Sequence, residues 1–108
     1  MDLSSALAIG QRVEVEFDAT VASAPRFFFG TRTHCEHETF DVRTPAGLID
    51  VVDNVALAPA VQVHPGDRVQ IRGELVHDPS RFVVHWTHHD PSHRHADGFI
   101  RFRGRTYA

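Results

Sequence analysis

The sequence predicts an all-β domain built as a small barrel of five or six strands. Three observations carry that expectation. Apolar and polar residues alternate with period two in several short runs, and turn-forming residues separate those runs. No segment shows the spacing of a strong amphipathic helix. A long run near the middle holds Gly73, and glycine inside a strand marks a bulge or a barrel bend.

The elements follow in order. Residues 1–11 form an N-terminal extension, helical or flexible, with a short helical turn that Gly10 ends. Val13, Val15 and Phe17 alternate with Glu14, Glu16 and Asp18, so the first strand starts there and runs towards Thr20 and Val21. SAPRFFFGTRTHCEHE reads as a long loop punctuated by Pro25 and Gly30. Thr39–Val42 is the second strand, residues 44–47 (TPAG) a hairpin turn, and Leu48–Val52 the third strand. DNVALAPAVQV is a connection with one helical turn. Residues 64–67 (HPGD) turn the chain into a strand from Val69 to Leu75. HDPSR turns it again, and Phe82–His88 is the next strand. The tail GFIRFRGRTY alternates around a glycine turn, with Arg101, Arg103 and Arg105 on one face. Strand, long loop, hairpin, connection and hairpin is the order of an OB-like barrel, with an SH3-like barrel as the alternative.

At 108 residues the chain is expected to be a single domain, 1–108. Its formal charge is -3 with neutral histidine, so no overall basic field announces a nucleic-acid binder. Nine histidines make that charge sensitive to pH between roughly 7 and 5. Cys35 is the only cysteine, which excludes an intramolecular disulfide. No signal-peptide pattern and no apolar run of ~20 residues is present, so a cytoplasmic protein away from the membrane is expected.

Chemistry concentrates in VHWTHHDPSHRH, residues 84–95, which hold five of the nine histidines and the only tryptophan. On a straight strand Phe82, Val84, Trp86 and His88 share the core face, and His85 and His89 the outer one. His85 and His89 then stand ~13 Å apart, too far to ligate one ion through ~2 Å bonds. A metal site therefore needs a bend at Asp90-Pro91 or a histidine from elsewhere. The candidate ligands are His34, His85, His88, His89 and Asp90, a mixed imidazole and carboxylate set suited to a divalent transition metal such as Zn. Three protein ligands and an open position permit hydrolysis. The bland alternative is that these histidines hydrogen-bond Thr or Asp and fix a turn.

A second set points to nucleic acid. OB domains stack bases on aromatics in a basic groove. Arg32, Trp86, Arg94, His95, Arg101 and Arg103 are the candidates, with Phe27, Phe28 and Phe29 as further aromatics. A run of three phenylalanines is more often core or a partner-contact patch. No phosphate-cradling glycine loop is present, and Cys35 beside His34 and His37 is a poor nucleophile signal.

The segment GDRVQIRGELVHDPSRFVVHWTHHDPSHRHADGFIRFRGRTY resembles the C-terminal half of a small bacterial family, the domain of unknown function 3465. Its marks are a GD turn, a G-E strand end, the string HWTHHDP, a following histidine and a closing G-F-I…G…Y. THCEHETFDV and DNVALAP resemble the family's N-terminal half more loosely, so the likeness spans about residue 18 to Tyr107. Asp53 departs from the pattern, which has histidine before the asparagine. Members of that family often carry an N-terminal signal or anchor, which this chain lacks. The resemblance implies an OB-like fold and no assigned activity.

The expected function is a non-catalytic OB-like binding module whose histidine-rich site holds a metal ion, single-stranded nucleic acid or a protein partner. Two alternatives stay open: a metal-dependent hydrolase or nuclease using the His/Asp cluster, and a structural or assembly subunit.

Overall fold

The computed structural model describes residues 2–9, 12–78, 81–94 and 96–108. One short helix, α1 (Leu3–Ile9), precedes eight strands: β1 (Val13–Val21), β2 (Arg26–Gly30), β3 (Cys35–Thr44), β4 (Gly47–Asn54), β5 (Arg68–Asp78), β6 (Arg81–His85), β7 (Phe99–Phe102) and β8 (Arg105–Tyr107). Gly10 and two residues of the HDPSR turn, Pro79 and Ser80, lie outside the described residues.

Five strands close a barrel in the order β1-β3-β4-β6-β5, with β5 pairing back onto β1. The β4–β6 contact is parallel and every other pairing is antiparallel. That is the strand order of an OB barrel, so the expected fold class holds. β2, β7 and β8 are additions to it.

Alternation explains the inner surface. Val15, Ala19 and Val21 of β1, Phe40 and Val42 of β3, Ile49 and Val51 of β4 and Ile71 of β5 all point inward and are buried. Val84 of β6 and Ile100 of β7 complete the layer, and α1 adds Leu3 and Ala6 at its edge. The turn at residues 64–67 forms as expected, with Gly66 at φ 96° and the Asp67 amide donating to the His64 carbonyl.

Three expectations need correction. The stretch read as a long loop contains β2, which pairs with β3 along its whole length and starts β3 at Cys35 rather than Thr39. Phe27, Phe28 and Phe29 lie exposed on that added strand, so none of the three alternates inward and the period-two signal is absent. The tail arginines do not share a face. Arg101 lies on β7 opposite Gln70, while Arg103 sits in the β7–β8 turn at φ 51° and Arg105 opposes Phe102.

The third correction concerns the histidine-rich segment. The strand predicted to run to His88 ends at His85, because Trp86 turns the chain at φ 57°. β6 occupies one edge of β5 down to Glu74, and β7 takes over the same edge at Arg72. Residues 86–98 are therefore an excursion whose two ends meet beside Gly73. A side chain there would run into the His85 carbonyl, with the added Cβ 2.5 Å from its oxygen. A side chain at Gly98 would collide with the Trp86 carbonyl oxygen, and the Gly98 amide donates to the His88 carbonyl. Close backbone approach, not turn geometry, explains both glycines.

Gly98→Ala is expected to lower stability by about 1–3 kcal/mol, the range for overpacking a filled site, because the obstacle is rigid backbone. Thermal or urea unfolding checks this; an unchanged midpoint would show that the excursion moves freely.

Candidate functional site

The excursion leaves the barrel beside β4, and Thr87 ties it there. Thr87, fully buried, donates its hydroxyl towards the Val52 carbonyl and Asp53 Oδ1, both at 3.1 Å. This fixes the flanking side chains. Trp86 swings outward, half-buried, instead of entering the core, and His88 is buried beside it with ring centroids 5.3 Å apart. His85 projects from the outer face, as the alternation predicts, and its ring lies 6.0 Å from the indole.

These three side chains wall a cleft of about 330 Å³. The opposite wall comes from the outer face of the β3–β4 hairpin, where His37 and Asn54 stand in register and Val52 lies one step along. Arg12, Thr33 and Leu57 complete the lining. Two imidazoles beside the indole and a third, His37, from the β3–β4 hairpin thus line one cleft.

Hydrogen bonds orient the rings. His85 Nε2 contacts Glu74 Oε1 at 3.1 Å; a carboxylate only accepts, so Nε2–H donates. Arg12 also reaches Glu74 Oε1, at 3.5 Å. His88 donates Nδ1–H to the His89 carbonyl at 2.6 Å. Each of these two rings, when neutral, keeps a lone pair on its other nitrogen. Burial lowers the pKa of both, opposed at His85 by Glu74 and at His88 by the His89 carbonyl. His37 Nε2 lies 2.7 Å from Thr33 Oγ1, while its buried Nδ1 finds no partner among the described residues.

The other expected site residues lie elsewhere. His34 is exposed in the β2–β3 turn at φ 55°; His37, not His34, reaches the cleft. His89 is half-buried, with its ring 6.4 Å from that of His88. Asp90 is buried and organises the turn that follows: Oδ1 accepts from the Ser92 amide and hydroxyl, and Oδ2 from the Arg94 amide. Arg32 and Arg94 are exposed on separate turns, and Arg101 packs over Phe99 on the β7 outer face. Arg103 belongs to a different cleft, and His95 lies outside the described residues. Among the described residues no group of three or more His, Cys, Asp or Glu side chains is arranged to hold a metal ion.

Glu38 and Asp53, which the sequence offers with Glu36 and Asp41 as possible general bases, form a buried pair behind the cleft that the sequence reading does not anticipate. Glu38 and Asp53 face each other across β3 and β4, on the inner parity of Phe40 and Val51. Glu38 Oε1 accepts the Val61 amide at 2.8 Å, which pins the 55–63 connection to the barrel end. Asp53 Oδ2 is buried with no partner among the described residues. Burial pushes the Asp53 carboxyl up to about 7, opposed by the Thr87 hydroxyl and reinforced by Glu38; burial raises Glu38 as well. The signal was legible: the parity of Phe40/Val42 and Ile49/Val51 carries two acids inward.

A family model described as protein of unknown function (DUF3465) matches residues 11–108. No curated protein and no solved structure matches the chain. No helix among the described residues is long and apolar enough to cross a membrane.

The buried acid gives a pH prediction. Folded Asp53 holds its proton up to about pH 7, whereas an unfolded aspartate releases it near 4. Between those values the native state binds more protons, so this group makes stability fall as pH rises, then level off above 7. His85 and His88, whose pKa values burial lowers in the fold, act oppositely below about pH 6.5, the unfolded value. Asp53→Asn removes only the falling part. Urea unfolding at pH 5 and pH 8 should show Asp53→Asn gaining on the parent by a few kcal/mol at the higher pH; a constant difference would show that Asp53 is ionised in the fold throughout.

Proposed function

The chain belongs to this family of proteins of unknown function, and we propose that it is a non-catalytic OB-like binding module whose cleft receives the bases of a single-stranded nucleic acid. One observation carries the reading: Trp86 and the imidazoles of His37, His85 and His88 wall a single cleft on the outer face of β3 and β4. Those strands hold the second and third places in the barrel order, the face on which OB barrels engage oligonucleotides. A flat aromatic wall suits a planar heterocycle, and each stacked base supplies ~1–3 kcal/mol. Asn54 and Arg12 supply hydrogen bonds for a base edge or a phosphate.

The charge of -3 shapes the expected behaviour. Without a broad basic field, affinity rests on stacking and on Arg12, so few counterions are released and the salt slope is shallow. Trp86 is the only tryptophan, and its fluorescence reports the cleft directly. Oligo-dT at low salt should quench it. Trp86→Ala should weaken binding of a labelled oligonucleotide by roughly 5- to 150-fold, the equivalent of one stacked base. No quenching together with no anisotropy change at low salt would sink the reading.

A second reading has its own observation. His85 and His88 keep unprotonated nitrogens on the same cleft, and His37 brings an unpartnered Nδ1. A divalent transition metal such as Zn, drawn in by these rings with modest side-chain rotation, would make the module a metal binder, and metal-dependent hydrolysis would require that ion. Zn titration of tag-free protein should then show stoichiometric uptake that His85→Ala and His88→Ala each reduce. No uptake removes both the metal and the hydrolytic alternatives.

A further inference from the structure

On another part of the surface the β7–β8 hairpin meets the 59–62 connection and forms a second cleft, of about 450 Å³. Its lining includes Arg103, Arg105, Tyr107, Phe102 and Gln62, and none of the residues lining it is an acid. Both guanidinium groups rest on aromatic rings: Arg103 Cζ lies 5.1 Å from the Phe102 centroid and Arg105 Cζ 4.7 Å from that of Tyr107. Neither arginine has a carboxylate partner among the described residues. Most other described arginines also lack one, Arg12 and Arg81 being paired with Glu74 and Asp50 and Arg101 contacting Gln70 and Thr106. What sets Arg103 and Arg105 apart is that both line one cleft, each stacked on a ring.

This combination is informative because the chain is acidic overall. Two unneutralised cations on one short hairpin would ordinarily repel, yet here they flank a shared concavity. Stacking restrains each long side chain while leaving its N–H donors free, so less order is lost when an anion arrives. A guanidinium offers a planar fork that matches the oxygens of a phosphate, and two forks match a dianion better than a single carboxylate. The Tyr107 hydroxyl and the Gln62 amide are neutral donors on the same lining.

We propose that this cleft is an anion site for a phosphate group, held between Arg103 and Arg105 and apart from the histidine cleft. The site does not depend on the base-binding reading, since the two clefts share no lining residue. The phosphate belongs either to a small phosphorylated molecule or to a strand backbone; the chemistry of recognition is the same.

Inorganic pyrophosphate is the probe. Titration at low ionic strength, followed by amide chemical shifts, should give saturable changes centred on residues 102–107 and Gln62. An Arg103→Gln/Arg105→Gln double variant should lose at least ten-fold in affinity, with an unchanged unfolding midpoint because both side chains are exposed. Tyr107→Phe, which keeps the ring under Arg105, should weaken binding less. Oligo-dT forms the second arm: a parallel loss in the double variant assigns the phosphate to a strand, and oligo-dT binding left intact assigns it to a free phosphate ester. Non-saturable shifts, shifts centred elsewhere, or pyrophosphate affinity unchanged in the double variant would each overturn the proposal.

Discussion

The contact on which the rest depends is the parallel closure between β4 and β6. Its ladder holds only two registered pairs, Asp50 with Val83 and Val51 with Val84. Side chains extend it at both ends. Arg81 reaches the buried Asp50 at 2.9 Å on one side, and Thr87 bonds to the Val52 carbonyl and Asp53 on the other. Without this ladder the five barrel strands would form an open sheet in the order β4-β3-β1-β5-β6. The same Thr87 bond sets the direction in which Trp86 and His88 leave the barrel. Closure and cleft are thus one arrangement seen from two sides.

Burial at this closure explains why acids sit where apolar residues would pack. Thr87 needs an acceptor inside the barrel end, and Asp53 supplies it. The amide of Val61 needs another, and Glu38 supplies that. Glu38 therefore satisfies a backbone amide that would otherwise be stranded, and Asp53 shares the Thr87 hydroxyl with the Val52 carbonyl. The cost appears as raised pKa values, since burial in an apolar end disfavours the ionised form of both acids, and the charge of Glu38 adds to that at Asp53.

Much of the barrel was legible because most strands alternate. β1, the β3–β4 hairpin, β5 and the β7–β8 turn follow directly from period-two patterning and turn residues. β2 was not legible, since a strand added outside the barrel with three exposed phenylalanines has no inward face to mark. The end of β6 was hidden for a different reason. Trp86 takes a left-handed conformation because Gly98, twelve residues later, leaves room for its carbonyl, and Thr87 is drawn inward by Asp53 from another strand. Read as a straight strand, the histidine string puts Trp86 and His88 on the core face and His85 on the other, whereas all three line one outer cleft. The companion from the first half of the chain had to be found by register. His37 lies opposite Asn54; His34 lies in a turn.

The closure also orders events in time. The β3–β4 and β7–β8 hairpins join residues close in sequence, whereas β1 and β5 pair Val13 with Leu75 and Thr20 with Arg68 across an intervening span of about half the chain. Hairpins close on short loops at small entropic cost, and distant ladders wait for larger ones. The two-pair parallel ladder has little to hold it until both of its flanking sheets exist. The aromatic cleft draws its walls from both sides of that joint. A ligand for it is therefore also a reporter of barrel closure, and its binding stabilises the closed form.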